Sequence, residues 1–469
     1  MNVIITSTEF EGLIKTGGLG DAISGISYSL SKLDNFEVSV IIPNYMNLDD
    51  SDFKKIDEIT ITNPSNKNSE LKFIDNNLEK LKFNVLYKKD NNLNIYLIDN
   101  DYYFNRSEIY GYNDDLLRWT FFSRAIYEII LKEEFNPDIV HINDYHEGLV
   151  PFLFKTHLSE FKCKFVLSVH NAFFQGYYEF TSDDEKLLFE YLINSDWNDN
   201  DINLLENAAL KSDQILTVSP DYAKAMQGES GHGLEDIYKE KGIIGIINGL
   251  DNSIHDREVD DFHSFLDVKE KYKLKLQKRF NCKEDKNIPL ITYICRLGVQ
   301  KGSNIVFDSI NNFIDDSQFI LLGTGIEEFE EDFSSLNGKL ENYHAIIDFD
   351  SELARELYIA SDIFLMPSDF EPCGIAQLIA QHYASIPIVT NVGGLKDTII
   401  DYPSDNANGF KIKDFSSDSL TEGILNALDI YYNNKSDWLK LMENAYNSDN
   451  SWDNNIKNYV EIYDRMVKK

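Results

Sequence analysis

The chain has 469 residues, 43% of them hydrophobic, enough for two or three domains that each bury a core. Acidic residues outnumber basic ones 79 to 44, a formal charge of −35, so the surface repels nucleic acids and anionic membranes. Four cysteines without close spacing (163, 282, 295 and 373) argue against a disulfide frame or a zinc site, and no apolar run reaches membrane-spanning length, which together predict a cytoplasmic protein.

In chain order the first half alternates two periods. "NVIITS" (2–7) predicts a first strand rather than a signal peptide, because a basic n-region is lacking. "DAISGISYSLSKL" (21–33) predicts a helix and "EVSVIIP" (37–43) a strand. "KFNVLYKKDNNLNIYLID" (82–99) predicts a β-hairpin with an Asp-Asn-Asn turn. A long helix is expected over 113–134. Strands follow at "PDIVHIND" (137–144), "FKCKFVLSVHN" (161–171) and "SDQILTVSP" (212–220), and the acidic insert 181–201 is expected to be a surface helix and loop. The pattern restarts at "IPLITYICRL" (288–297). A helix over 303–314 follows, then strands at 317–325, 343–349, 361–367 and 385–390 with helices between. Strands separated by helices imply parallel sheets covered on both faces. The expected fold is therefore α/β, with two facing doubly wound Rossmann-like domains and ligands in the cleft at their strand carboxyl edges. Expected boundaries are 1–245 and 246–451, with 242–252 as hinge. The helix 452–469 is expected to pack back on the first domain through Ile456, Tyr459, Tyr463 and Met466.

Three loops at such edges carry chemistry. "KTGGLGD" (15–21) joins the first strand to its helix. Its glycines allow close backbone approach, the helix N-terminus offers unpaired N–H groups, and Lys15 adds charge. It matches neither the dinucleotide fingerprint nor a P-loop. "CRLGVQKG" (295–302) holds Arg296 and Lys301 five residues apart across a turn, a pair able to grip a diphosphate. "FEPCG" (370–374) places Glu371 in a turn between an apolar strand and a short helix, with Pro372 fitting that helix's first turn. On this geometry Glu371 is either a helix cap or a ligand contact. His170, Asp144 and His146 fall at strand ends, without metal-ligand spacing.

These motifs, with "SVHNAFFQG", "IINGLD" and "GGLKDT" in the same order, resemble those of bacterial glycogen synthases and plant starch synthases over almost all of the chain. The resemblance implies a GT-B fold of two Rossmann-like domains. It implies glucose transfer from ADP-glucose to the non-reducing end of an α-1,4-glucan with retention of configuration, without a metal or other cofactor. The implied partners are the nucleotide sugar and the glucan, with no nucleic acid and no membrane; the chain is expected to be a monomer or a small homo-oligomer. By resemblance, Lys15, Gly17 and Gly18 meet the phosphates and the acceptor edge, and Asp21 orders that loop. Arg296 and Lys301 grip the diphosphate, His170 lies near the sugar's 6-hydroxyl, and Glu371 contacts the donor sugar. Phe349 stands where a tyrosine usually stacks on adenine. Gly393 and Gly394 lie beside the donor sugar, and Asn248, Cys373 and Gly374 complete the donor set.

The surroundings depart from the family. Glu206 replaces a usual lysine and His255 a tryptophan; Asp369 replaces an arginine or methionine, and Thr390 an arginine. Ile326 stands in "GTGI" where "GTGD" is usual. Three alternatives follow: UDP-glucose as donor, a small sugar as acceptor, or a glucan-binding homologue with weakened turnover. Phosphorolysis is disfavoured because nothing resembles a pyridoxal phosphate site.

Overall fold

The computed structural model describes residues 1–63, 76–132, 135–252 and 254–468. These fall into two compact units, one of Met1–Val218, Ala223–Ile246 and Asn455–Lys469, the other of Ser219–Tyr222 and Ile247–Asn454.

In the first unit the strands are β1 (Asn2–Thr6), β2 (Glu37–Pro43), β3 (Lys54–Thr60), β4 (Lys82–Asp90), β5 (Leu93–Asp99), β6 (Ile139–Asn143), β7 (Lys164–Val169), β8 (Tyr177–Glu179), β9 (Asp201–Asn203), β10 (Gln214–Thr217) and β11 (Ile243–Gly245). The described residues form a nine-stranded sheet ordered β11-β10-β7-β6-β1-β2-β5-β4-β3, and β8 pairs with β9 as a separate ribbon. The central strands run parallel, and their near-continuous apolar runs bury Val3, Ile4, Ile5, Val40, Ile142 and Leu167 completely. Among the described strands of this sheet β4 alone runs opposite to the rest, antiparallel to both β3 and β5, and it meets β5 through the Asp90–Leu93 turn, with Asn91 left-handed. Chain order reverses beside β1, where β2 lies on one side and β6 on the other. Such switch points open a crevice at the strand carboxyl ends.

The second unit carries β12 (Leu290–Ile294), β13 (Gln318–Leu322), β14 (Tyr343–Ile346), β15 (Ile363–Met366), β16 (Ile386–Val389) and β17 (Phe410–Lys411), ordered β14-β13-β12-β15-β16-β17, all parallel. Its switch point lies between β12 and β15. Ile291, Phe319, Leu321, Ile363, Ile386 and Ile388 form its buried centre.

Three local expectations are corrected. Residues 243–245 of the stretch expected to be a hinge are a strand, paired parallel to β10, because their N–H and C=O groups complete the sheet edge. Pro372 does not enter the following helix, which begins at Ala376 after Ile375, so 371–375 is an extended turn. The helix after β1 starts at Gly18, inside the glycine motif, so the glycines form its first turn. The C-terminal helix Trp452–Val467 buries Ile456, Tyr459, Tyr463 and Met466, and the Tyr463 hydroxyl lies 2.6 Å from His141 Nδ1 on β6.

Candidate active site

In the second unit, the loops leaving β12 and β15 carry Lys301 and Glu371. These strands are neighbours at the switch point, so residues seventy positions apart meet there. Lys301 Nζ donates to Glu371 Oε2 at 2.6 Å, and Ser368 Oγ donates to the same oxygen at 3.1 Å. The carboxylate is 8% exposed. It caps no helix: the residue before the next helix is Ile375, and the Glu371 side chain turns to a cation instead. Partial burial makes this ion pair stronger than a surface one. Lys301 itself is placed by a single helical turn, Val299–Lys301, that ends in Gly302.

The backbone around Glu371 is locked by close approach. Gly394 N donates to the carbonyls of Glu371 and Pro372, both at 3.1 Å. Gly393 is left-handed at φ +45°, and a Cβ on it would collide with the Glu371 carbonyl oxygen. Only glycine fits there. Asn248 N donates to Cys373 Sγ at 3.4 Å, Ser219 Oγ to the Pro372 carbonyl at 2.5 Å, and Gln377 Nε2 to the Gly374 carbonyl at 3.1 Å. Burial pushes the Cys373 thiol up to about 12, so it packs as a neutral group. The structure thus gathers Lys301, Glu371, Cys373, Gly374, Gly393, Gly394 and Asn248.

The side chains of two further expected donor residues, Arg296 and Phe349, are exposed. Arg296 is exposed on the β12 loop and pairs with no acid among the described residues. Phe349, beyond the edge strand β14, is 88% exposed. The departures are absorbed locally. Thr390 Oγ1 donates to the Ser368 carbonyl, and Asp369 N donates to the Gln300 carbonyl at 2.9 Å, tying the β12 and β15 loops together.

The first unit orders its glycine loop with carboxylates. Glu9, 3% exposed, accepts from Thr16 N at 2.7 Å, Gly17 N at 3.0 Å and the Tyr110 hydroxyl at 2.6 Å. The Gly17 amide is therefore occupied, while Gly18 opens the helix, whose first N–H groups have no intrahelical acceptor. Lys15 Nζ bridges Glu11 and Asp21, the latter at 3.0 Å. Burial lowers the Lys15 pKa, but the two carboxylates outweigh it and hold it above its usual value.

His170 follows β7. Asn143 Nδ2, at the end of β6, donates to the Thr6 carbonyl at 2.9 Å, which turns Asn143 Oδ1 toward His170 Nε2 at 3.0 Å. Nε2 therefore carries the proton, and Nδ1 keeps its lone pair. Burial lowers the imidazole pKa to about 4, so it is neutral at pH 7. Asp144, left-handed at φ +59°, accepts from His170 N at 2.7 Å. Burial raises its carboxyl to about 7 despite those amides.

Glu9, Asn143 and Ser368 went unread as site residues. Glu9 and Glu11 are two residues apart in "TEFEG", and only the folded loop shows which is buried. Ser368 lay in plain view three residues before Glu371, but its role needs the Lys301 loop. No group of three or more His, Cys, Asp or Glu able to hold a metal occurs among the described residues, and no helix among them is long and apolar enough to cross a membrane.

Comparisons with known proteins extend over the whole chain. Residues 2–240 match the model of the starch synthase catalytic domain, and 275–447 that of glycosyl transferases group 1. Glycogen synthase of Streptococcus mutans is 37% identical and that of Clostridium kluyveri 36% identical, each over 100% of both chains. The catalytic domain of Arabidopsis thaliana starch synthase IV, bound to ADP and acarbose, superposes with a TM-score of 0.85 at 26% identity, covering 100% of this chain and 99% of that one. Sucrose-phosphate synthase from Thermosynechococcus elongatus shares the fold, at a TM-score of 0.63 and 14% identity over 100% of this chain and 99% of its own.

Proposed function

We propose that this chain, which belongs to the glycogen and starch synthase family of GT-B glycosyltransferases, transfers glucose from ADP-glucose to the non-reducing end of an α-1,4-glucan with retention of configuration. The observation that carries the reading is the Lys301–Glu371 pair at the second unit's switch point, held by Ser368 and the Gly393–Gly394 turn. A cation for a phosphate and a carboxylate for a sugar are fixed within one hydrogen bond of each other.

In this mechanism the donor's diphosphate takes Lys301 and the unpaired Arg296, which stabilise the charge that grows as the anomeric C–O bond breaks. Glu371 opposes the positive charge developing on the anomeric carbon and accepts hydrogen bonds from sugar hydroxyls. It is not assigned a covalent role. The acceptor's 4-hydroxyl attacks from the face the diphosphate leaves. The new C–O bond forms there, and the hydroxyl proton passes to the departing phosphate oxygen, releasing ADP. From the first unit, neutral His170 offers an Nδ1 acceptor to a sugar hydroxyl, and Lys15 with the first-turn amides after Gly17 meets phosphate or acceptor oxygens. The ADP in the Arabidopsis structure supports an adenine nucleotide, and the exposed Phe349 ring supplies a stacking face for the base.

Incubation of the protein with ADP-glucose and a maltooligosaccharide should release ADP and lengthen the glucan in step. Absence of elongation with every nucleotide-glucose tried overturns the reading. Comparison of kcat/KM for ADP-glucose and UDP-glucose fixes the donor, since a tenfold preference is only about 1.4 kcal/mol.

A further inference from the structure

Lys301 is fixed at its tip by Glu371, but a diphosphate that draws the ammonium away dissolves that tie. What then places the lysine is its backbone. The loop leaving β12 supplies little stiffness of its own. Lys301 ends a single helical turn, Val299–Lys301, set between Gly298 and Gly302. Glycines on both sides widen the range of conformations open to an untied loop.

Two hydroxyls tie it. Tyr293 puts a phenol on the otherwise apolar end of β12, and its ring, 1% exposed, packs in the second unit's core. An oxygen buried that deeply needs a partner. The Tyr293 hydroxyl donates to the Lys301 carbonyl at 2.9 Å and lies 3.2 Å from Ser303 Oγ. Ser303, fully buried, opens the helix Ser303–Ser309 and accepts from Gly298 N at 2.9 Å. Valence orders the protons. The carbonyl can only accept, so it takes the phenol's one proton. The amide can only donate, so it fills an acceptor position on Ser303. The Ser303 hydroxyl therefore gives its proton to the phenol oxygen. The Cys295 thiol also reaches the phenol; burial pushes it up to about 12, so it stays neutral and leaves this order intact. The series runs Gly298 N–H, Ser303 O–H, Tyr293 O–H, Lys301 C=O. It closes both ends of the loop onto β12, and hydrogen bonds in series strengthen one another.

The other side of the loop is tied to the segment after β15. Gln300 Nε2 donates to the Phe370 carbonyl at 2.9 Å, and Gly302, left-handed at φ +81°, lies so close on the Pro367 carbonyl that a Cβ would strike it. Those contacts refer the loop to the Glu371 turn. The hydroxyl series refers Lys301 to its own strand instead.

We infer that Tyr293 and Ser303 are positioning residues for the donor's diphosphate, a clasp that keeps Lys301 in place when its ammonium turns from Glu371 to phosphate. The inference rests on the reading of Lys301 as the diphosphate's cation. ADP titrated calorimetrically into the full-length protein and its variants tests it. Tyr293→Phe keeps the ring and deletes only the oxygen. It should weaken ADP binding about five- to tenfold, the size of one or two lost hydrogen bonds, and Ser303→Ala about threefold or more. Both should raise KM for ADP-glucose to match, while KM for maltoheptaose moves less than about twofold. In a Lys301→Ala background Tyr293→Phe should change ADP binding less than about twofold, because a positioning residue acts only through the group it positions. Thr292→Val is the control for lost stability alone. Thr292, beside Tyr293 on β12, is buried and donates to Ser361 Oγ at 2.9 Å. Its loss should lower the melting temperature and leave ADP binding as in the parent. Unchanged ADP affinity in Tyr293→Phe, or an equal loss in both backgrounds or in Thr292→Val, overturns the clasp even if the protein elongates glucan. If Tyr293→Phe does not fold, Ser303→Ala decides by the same criteria. The expected ADP pattern in a protein that elongates nothing leaves the clasp standing and sinks the synthase reading. A parent that binds no ADP overturns both.

Discussion

At the scale of single residues, Glu371 and Lys301 neutralise each other before any donor arrives. The pair is 2.6 Å apart, and its side chains are 10% and 29% exposed. In the proposed reaction Lys301 is shared with, or passed to, the diphosphate as it binds, leaving Glu371 with the sugar. Glu371→Gln keeps the shape and removes the charge. Loss of one preorganised electrostatic group predicts a fall in kcat of about 10²- to 10³-fold, roughly 3 to 4 kcal/mol of transition-state stabilisation. Stability pays a separate and smaller amount: a hydrogen bond to a charged group is worth about 1.5 to 3 kcal/mol, and glutamine still accepts one, so the cost should not exceed that range. Lys301→Ala should instead raise KM for the donor. Steady-state kinetics at saturating donor and glucan, beside thermal melts, separate the two. A Glu371→Gln protein within threefold of the parent in kcat returns the carboxylate to a structural role as the partner of Lys301.

At the scale of elements, legibility followed burial. The parallel strands β1, β2, β6, β7, β12, β13, β15 and β16 are apolar almost without interruption, and each lies inside a run read as a strand. The glycine loops stand out by composition, and Lys301 and Glu371 by their residue type at strand ends, whereas the contact between them exists only in the fold. Which acid of "TEFEG" turns inward was not legible, because it depends on Tyr110, a hundred residues away. The helix Phe262–Arg279 went unread for a different reason. Its inner face runs Phe262, Phe265, Lys269, Lys273, Leu276, so two lysines occupy positions where helical periodicity calls for apolar residues. The fold shows what they do. Lys269 Nζ donates to the carbonyls of Ile359 at 2.9 Å, Ser361 at 2.8 Å and Tyr383 at 2.8 Å, and reaches Ser385 Oγ at 3.2 Å. These carbonyls lie at the C-terminal ends of the helices Ser351–Ala360 and Ala376–His382, where intrahelical donors run out and the helix dipoles are negative. One buried ammonium thus caps two helices, the second of which follows the Glu371 turn. Lys269→Met should leave the Ile359 and Tyr383 carbonyls unpaired, Ser361 keeping the Ser385 hydroxyl at 2.6 Å, at about 1 to 3 kcal/mol each, so a loss of at least about 2 kcal/mol is expected in urea unfolding. Lys269→Arg should not rescue it, since a planar fork does not fit oxygens arranged around a single ammonium. A loss below 1 kcal/mol in the methionine variant would falsify the double cap.

At the scale of the whole molecule, the charge of −35 poses a problem for a protein proposed to bind an anionic nucleotide sugar. The cations assigned to phosphate do little to reverse the field from afar. Lys15 is held between Glu11 and Asp21, and Lys301 is cancelled by Glu371. Arg296 alone of the three pairs with no acid among the described residues. The approaching donor therefore meets net repulsion at long range and attraction only at contact. Salt separates these two contributions because the Debye length falls from about 30 Å at 0.01 M to about 8 Å at 0.15 M. Repulsion from the chain as a whole is screened over that interval, whereas partly buried contacts of about 3 Å are screened far less. Raising NaCl from 0.01 to 0.15 M should therefore increase kcat/KM for ADP-glucose, the opposite of the fall seen where a basic site steers an anionic ligand. The melting temperature should rise over the same interval as self-repulsion is relieved. Arg296→Ala, which deletes the unpaired cation, should lower kcat/KM at every salt concentration and make the relative gain on adding salt larger. A several-fold fall in the parent's kcat/KM over this range would mean that local positive charge governs the approach, and that the acidic surface is electrically remote from the place where the donor enters.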